Sequence, residues 1–421
     1  MAYIGNIVVY MIMICAVLGA FAAIKDPENG LGKQFMEGLH SVGYIFIPAA
    51  GIMASIPYLS WFIDKAAGPF FAAIGADPAI AATAILASDM GGYQLADALK
   101  ESYEGWIMAL IVGFMAGATI VFSIPVGLAM LDKRDHKYMA LGVMSGLLTI
   151  PIGAFISSVM MLLTNAQVRD VISTSSASTY EFTISYAQLI LNLAPLAVMV
   201  IVLALGLYFL PDLMIKGFMI FGRVMDAGIK LVLVFSIVEF FTGFFSTVFG
   251  GWGFSPIIAD ADDQFRALET AGYIGMMLAG AFPMVYLIQK HAGRPLGALG
   301  SKIGLSEAGS AGLLATSANI LAMFKLVASM PPKDKVINIS FAVCGAFLLG
   351  DHLSFTANFQ PTLILPVMIG KLTAAVIGIA LAYKLSVPKA LELEQKDREA
   401  GIIGPDEYKT NVEAEPEVKA V

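Results

Sequence analysis

The residues whose types and spacing suit chemistry are few. Asp89 and the glycine pair Gly91-Gly92 close an apolar run that begins near Ala79. A charge at bilayer depth costs roughly 2.5–3.5 kcal/mol on insertion scales, and paired glycines free backbone groups that lipid cannot satisfy. Such a stretch belongs inside protein or along a cavity. There Asp89, Met90, Gly91, Gly92 and Tyr93 form a candidate binding tip. Asp89 either pairs a cation or caps freed N–H groups; Tyr93 either stacks on the cation or packs structurally. A second tip offers Thr316, Ser317 and Asn319, all neutral hydrogen-bonding groups. One carboxylate facing neutral partners suits a small cation that carries a hydroxyl.

Two further groups are candidates for gating or proton relay. Asp351-His352 is a His–carboxylate neighbour pair, read either as a relay or as a satisfied structural pair. Counted along a continuous helix from Lys335, Asp351 falls about 24 Å in, toward the outer part of the core. Thr119 and Ser123, just before Pro125, bond either a substrate or the backbone that the proline opens. His136 reads as a loop residue and the methionines as packing.

The elements that must position these groups are membrane helices. The chain has 421 residues, 58% hydrophobic and 14% charged, with mean hydropathy +0.79; soluble domains carry about 25% charged residues. The expected class is an all-α polytopic membrane protein. Cys15 and Cys344 both sit in apolar runs and read as buried hydrophobes, giving neither a disulfide framework nor a metal site. No cleavable signal peptide is expected, since the run from Tyr3 lacks a basic leader. The net charge is −7, and Ser386–Val421 holds nine acids against five bases. That segment reads as a disordered, charged cytoplasmic tail.

Punctuation divides the chain. A span at Tyr3–Ile24, a polar connection to His40 and a span at Ser41–Ile63 come first. Asp77-Pro78 is a helix start, a capping carboxylate followed by a first-turn proline. The arm it opens, to Ser88, is about 17 Å long, half a bilayer core. A second arm carries Asp97, Lys100 and Glu101, so it cannot face lipid along its length. Ser306-Glu307 opens a matching short helix that stops near Asn319.

The chain also matches itself at an offset of 229. Gly43-Tyr44-Ile45 falls on Gly272-Tyr273-Ile274 and Ile74-Gly75 on Ile303-Gly304, while the caps Asp77 and Ser306 coincide. Eleven of fifty positions from Ser41 to Met90 are identical. Basic residues (Lys302, Lys333, Lys335) flank both ends of the second broken element, so it enters and leaves on one side. The expected organisation is a first repeat over 1–185 with a hairpin at 78–103, a linking helix and cytoplasmic or interfacial segment over 186–230, and a second repeat over 231–385 with a hairpin at 306–330. The repeats are then inverted, with about nine full spans plus two re-entrant hairpins. If both broken elements cross fully, the count is about eleven and the halves are parallel. No phosphate loop, metal-ligand spacing, nucleophile elbow or nucleic-acid-binding face points to an enzyme or a nucleic-acid partner.

These motifs resemble the EutH family of bacterial ethanolamine transporters. The matching pieces are Ala87–Gly92, Thr119–Pro125, Leu141-Gly142-Val143 with Thr149–Gly153, Lys335–Asn338 and Gly350–Leu353, in order along residues 3–385. The resemblance implies a multi-pass carrier of ethanolamine in the bacterial inner membrane, with its C-terminus cytoplasmic and no cofactor. It does not assign the binding residues, and the pairing of Asp89 with the amine rests on the tip alone. A channel is the alternative, with the tips as a filter; an anion carrier conflicts with acidic tips. A proton or sodium ion is left open as coupling partner, and a homodimer is expected by fold-level analogy.

Overall fold

In the computed structural model, which describes residues 2–404 together with Glu407 and Tyr408, the chain is 79% helical. Its exposure is inverted relative to a water-soluble domain. Tyr10, Phe21, Val202 and Phe241 face outward, whereas Asp89, Lys335, His352 and Lys371 are buried. Among the described residues six helices are long and apolar enough to cross a membrane, or seven if one bent pair counts as a span. This is the pattern of a multi-pass membrane protein.

Helix α1 (Ala2–Lys25) leads to α2 (Gly30–Ala54), which bends by 60° into α3 (Ile56–Ala66) and is followed by α4 (Gly68–Ile74). Pro57 withholds a donor at the bend, and Ser55 Oγ donates to the Gly51 carbonyl at 2.7 Å. The polar connection expected up to His40 is therefore already helix from Gly30.

The first broken element is α5 (Ala79–Ile85), a 3-10 turn (Ser88–Met90) and α6 (Gly92–Leu99). Its two ends meet. The Asp77 carboxylate caps its own helix through Ala79 N–H at 3.0 Å and accepts from Ser102 N–H and Oγ, both at 2.8 Å. Next come α7 (Tyr103–Val112), a π-helix (Gly113–Ser123) and α8 (Ile124–Met130), together a nearly wholly buried span. Pro125 lacks an N–H, and Ile124 N–H reaches back five residues to Thr119, so the wide turn sits just ahead of the proline.

Helices α9 (His136–Leu147) and α10 (Ile150–Leu163) carry the chain to a two-stranded antiparallel ribbon, β1 (Gln167–Val168) and β2 (Tyr180–Glu181), paired Gln167 to Glu181. Arg169 knits this end together, donating to five backbone carbonyls, among them those of Ser176 and Asn358. Then follow α11 (Tyr186–Phe209), α12 (Pro211–Thr242) and α13 (Phe244–Phe249). The separate segment expected over 211–230 is instead the first part of α12, an unbroken helix of 32 residues. The basic residues that suggested an interface (Lys216, Arg223, Lys230) are exposed without interrupting it.

Helix α14 (Ala267–Lys302) precedes the second broken element, α15 (Glu307–Ala318) and α16 (Ile320–Val327). Its ends also meet: Ser306 N–H donates to Asp334 Oδ2 at 2.7 Å. Helices α17 (Pro332–Gly345), α18 (Asp351–Phe359), α19 (Ile364–Leu381) and α20 (Val387–Glu399) complete the chain. The tail thus starts as an ordered helix, a correction to the disorder expected from Ser386. Asp397 accepts from Lys137 Nζ at 2.5 Å and Tyr138 Oη at 2.8 Å, and Arg134 pairs with Glu407 at 2.7 Å. These bonds give the charged segment partners that composition does not reveal. Residues 405–406 and 409–421 of the expected tail lie outside the described residues.

The two hairpin bases lie at opposite ends of the bundle. The first is tied to the start of α11, where Asn192 Oδ1 accepts from Asp77 N–H at 3.0 Å. The second adjoins the start of α17, where Lys335 pairs with Asp135 at 2.6 Å, and α9 with α10 spans between those ends. Both bases are tight. A Cβ on Gly105 would lie 2.0 Å from Asp77 Oδ2, and one on Gly309 would lie 2.4 Å from Asp334 Oδ2. Gly105→Ala and Gly309→Ala are each expected to lower stability by about 1–3 kcal/mol through overpacking, read as a lower thermal midpoint in detergent. An unchanged midpoint would show that the base carboxylates are free to move aside.

Candidate functional site

The first tip forms where α5 runs out. Leu86 and Ala87 are extended, Ser88–Met90 make one 3-10 turn, and Gly91 takes φ +97°. Only glycine suits that position: the left-handed backbone disfavours a side chain, and a Cβ would lie 2.8 Å from Met53. The Ala87 carbonyl accepts from both Met90 N–H at 3.1 Å and Gly92 N–H at 3.0 Å. Ser88 Oγ donates to the Leu110 carbonyl at 2.9 Å, anchoring the tip on α7. Asp89 is then held 8% exposed, and its Oδ1 has no hydrogen-bond partner among the described residues. A buried carboxylate oxygen without a donor is costly unless a ligand supplies one.

The second tip is Ala318-Asn319. Asn319 is extended, and its Oδ1 accepts from Leu321 N–H at 2.8 Å, capping α16. That bond commits the oxygen and leaves the Nδ2 donors without a partner among the described residues.

A third interruption meets the tips. Helix α17 stops at Gly345, and Phe347 adopts φ +57°, a strained conformation for an aromatic residue. Phe347 N–H donates to Thr316 O at 3.2 Å and Leu349 N–H to Ser317 O at 2.8 Å. Helix α18 then restarts at Asp351. The expectation that put Asp351 in the outer core assumed an unbroken helix; the break folds it back beside the tips. The His352 ring stacks on Phe114 at 4.5 Å, and neither ring nitrogen has a partner.

These interruptions line one chamber of about 920 Å3, within the roughly 300–1,000 Å3 of small-molecule sites. Asp89 and Met90 come from the first tip, Ala318 and Asn319 from the second, and Asp351 and His352 from α18. Ala118 and Phe122 of the π-helix complete that wall. The opposite wall belongs to α2 and α14, with Glu37, His40, Tyr44, Tyr286 and Gln289. The chamber can therefore take a small molecule with a positive and a hydrogen-bonding end.

The remaining sequence candidates lie around the chamber rather than on its wall. Gly91 and Gly92 shape the first tip from behind, the latter packed on the Ala87 carbonyl. Tyr93 is stacked on Trp106 at 4.5 Å, with its hydroxyl accepting from Gln360 Nε2 at 3.0 Å. The hydroxyls of Thr119, Ser123, Thr316 and Ser317 donate to the carbonyls of Val343, Ala118, Gly312 and Leu313. Sequence reading missed the α2 stripe Gln34, Glu37, Ser41 and Tyr44, whose helical spacing was its signal. It also missed Lys371, a lone lysine inside an apolar run. Among the described residues no three of His, Cys, Asp and Glu gather to hold a metal ion.

A family model described as "Ethanolamine utilisation protein, EutH" matches residues 4–385. The chain is similar to the probable ethanolamine permease EutH of Listeria monocytogenes serotype 1/2a (strain 10403S), 37% identical over 387 residues, covering 91% of this chain and 95% of the relative. It is 35% identical over 410 residues to the Escherichia coli (strain K12) protein of the same description, covering 92% and 96%. An uncharacterised Bacillus subtilis (strain 168) protein, YxeR, is 33% identical over 394 residues, covering 93% and 98%. No solved structure matches the chain.

The chamber predicts which positions water-borne reagents reach. With Cys15 and Cys344 replaced by Ser and Ala, cysteines at Ala318 and Ala322 are expected to react with a small polar thiol reagent at least about tenfold faster than one at Thr119. Equal rates at the three positions would overturn this chamber geometry.

Proposed function

The chain belongs to the EutH family, and from that premise we propose that it carries ethanolamine inward across the bacterial inner membrane, by facilitated diffusion or secondary transport. It is a transport protein and not an enzyme. The carrying observation is Asp89: a buried carboxylate with an unpartnered oxygen, at a helix break, in a chamber shared with Asn319. Ethanolamine is a small ammonium with a hydroxyl. Asp89 pairs the ammonium, and Asn319 Nδ2 donates to the hydroxyl oxygen. Met90, Gly91 and Gly92 shape the first tip, with Tyr93 bracing it; Thr316 and Ser317 shape the second through their backbone. Asp351 and His352 extend the chamber, while Thr119 and Ser123 hold the π-helix that walls it.

The same reading gives two halves of inverted orientation with about nine full spans and two re-entrant hairpins. Hairpin bases at opposite ends, with tips in one chamber, support it. The basic cluster Lys133, Arg134, Lys137, Lys333 and Lys335 adjoins the second base, which supports a cytoplasmic position for that end. The bonds of Asp397 and Glu407 to Lys137 and Arg134 support the same side for the C-terminal segment. Glu37, His40 and Gln289 line the chamber toward that end, which supports an inward-open state. The bundle then works by gating one set of helices against α2 and α14, and a homodimer is proposed by analogy. A pore is not favoured, because the named relatives are permeases.

The test is uptake of labelled ethanolamine into proteoliposomes. Uptake is expected to saturate and to be accelerated by unlabelled ethanolamine on the far side. Asp89→Asn should weaken it at least roughly thirtyfold, as loss of one member of a buried charge pair costs about 2 kcal/mol or more. Full uptake by that variant would sink the assignment of Asp89; flux linear in concentration without exchange would replace the carrier with a pore.

A further inference from the structure

Lys371 lies on α19 and is completely buried. Its Nζ donates to the Phe114 carbonyl at 2.7 Å, within the π-helix. The Phe114 ring in turn stacks on His352, the neighbour of Asp351. The lysine therefore stands one layer behind the chamber wall, reaching the site without touching its contents. An ammonium so placed is expensive unless negative charge lies near. Its ionisable surroundings are Asp89 on the first tip, His352 on α18 and the Cys344 thiol on α17, with Asp351 joined to them through Asp89. The ammonium and Asp89 attract, while Asp89 and Asp351 repel.

We infer that Lys371 is a tethered counter-cation that fixes the charge capacity of the site: the exposed Glu37 and Lys325 of the lining offset each other, and two inner carboxylates, Asp89 and Asp351, less one buried ammonium leave room for a single monovalent cation. The inference rests on the reading that the amine occupies this chamber, and it adds the site's selectivity. A metal cation has no vacancy beside the amine, and a dication would leave positive charge uncompensated in a low-dielectric interior. Lys371 is thus a specificity-determining residue, acting through charge and not through contact. Removing its charge without its bulk opens a second cation vacancy, which sodium or the second ammonium of a short diamine can fill.

Lys371→Met makes that change with little loss of volume. Purified Lys371→Met protein is expected to gain thermal stability as sodium replaces bulky tetraethylammonium at constant ionic strength, whereas the native protein does not respond. In proteoliposomes its ethanolamine uptake is expected to fall at least about tenfold without sodium and to recover with it. Adding Asp351→Asn to Lys371→Met rebalances the charge and should restore sodium-independent uptake. A folded Lys371→Met protein with no sodium response, a native protein stabilised by sodium, or a double variant that still needs sodium would each overturn the inference.

If Lys371→Met does not fold, Asp351→Asn alone decides. Asp89 is then matched by Lys371, and uptake should fall at least about tenfold; undiminished uptake overturns the inference. The stability arm needs no ethanolamine. A native protein that ignores ethanolamine would strike the transport reading, while a sodium response confined to Lys371→Met would still establish the counter-cation.

Discussion

Inside a bilayer no water is available to satisfy a broken helix, so each freed N–H and carbonyl must find a protein partner. The structure depends on how it meets that constraint. Four of its interruptions, the two tips, the π-helix ahead of Pro125 and the gap between α17 and α18, are gathered into one place, where they satisfy one another. Phe347 and Leu349 N–H groups take the Thr316 and Ser317 carbonyls. Thr119 Oγ takes the carbonyl of Val343, just before α17 ends. Glycines admit the approach: a Cβ on Gly117 would lie 2.2 Å from the Leu86 carbonyl, and one on Gly350 would lie 2.4 Å from that of Ala318. Once the breaks are pooled, a polar chamber lies at their meeting point, and the unpartnered polar atoms of Asp89 and His352 end there.

This explains what was legible in the sequence. Asp77-Pro78, Gly91-Gly92 and Ser306-Glu307 are local chemistry, and local chemistry ends and starts helices wherever they lie. Both tips were readable for that reason. The gap after Gly345 was not. Its residues, Ala346, Phe347, Leu348 and Leu349, are apolar and suit a helix, and what unwinds them is the distant second tip. Asp351 was therefore placed too far along. The α2 stripe was hidden by its context: Gln34, Glu37 and His40 read as a polar connection because the residues that share the chamber with them, on α14 and α16, lie more than 240 residues away in the chain. Lys371 was visible as a charge in an apolar run, but its meaning depends on Phe114 and the α18 acids, which only the fold brings near.

The hairpins owe their independence to where their bonds are strong. Each base is tied by a buried carboxylate bonded to backbone N–H groups, Asp77 in one and Asp334 in the other. Charge-assisted bonds of this kind are roughly twice as strong as neutral ones. The tips are tied by neutral bonds between backbone groups and hydroxyls. Each broken element is thus held by charge-assisted bonds at its base and by neutral bonds at its tip. The chamber wall formed by α2 and α14 meets the first tip through Met53 and Ile52 and the α17–α18 gap through Phe282, all apolar contacts.

The 229-residue spacing shows how acid is shared between the halves. Asp77 corresponds to Ser306, Gly105 to Asp334, Asp89 to Ala318 and Phe122 to Asp351. At every one of these pairs one half carries a carboxylate and the other a neutral residue. At the bases the same contact is made in both halves with the acid exchanged: Asp77 takes N–H groups leading into α7, whereas Asp334 at the head of α17 takes that of Ser306. At the inner wall of the chamber the alternation keeps the carboxylates to two, Asp89 and Asp351, with Glu37 exposed on the opposite wall. Doubling each acid would set four carboxylates around one small chamber, a repulsion that no single ammonium offsets at low dielectric. Similar local backbones thus make the same base contact twice, with the carboxylate supplied from opposite partners, and the carboxylates that face the chamber are divided between the two halves.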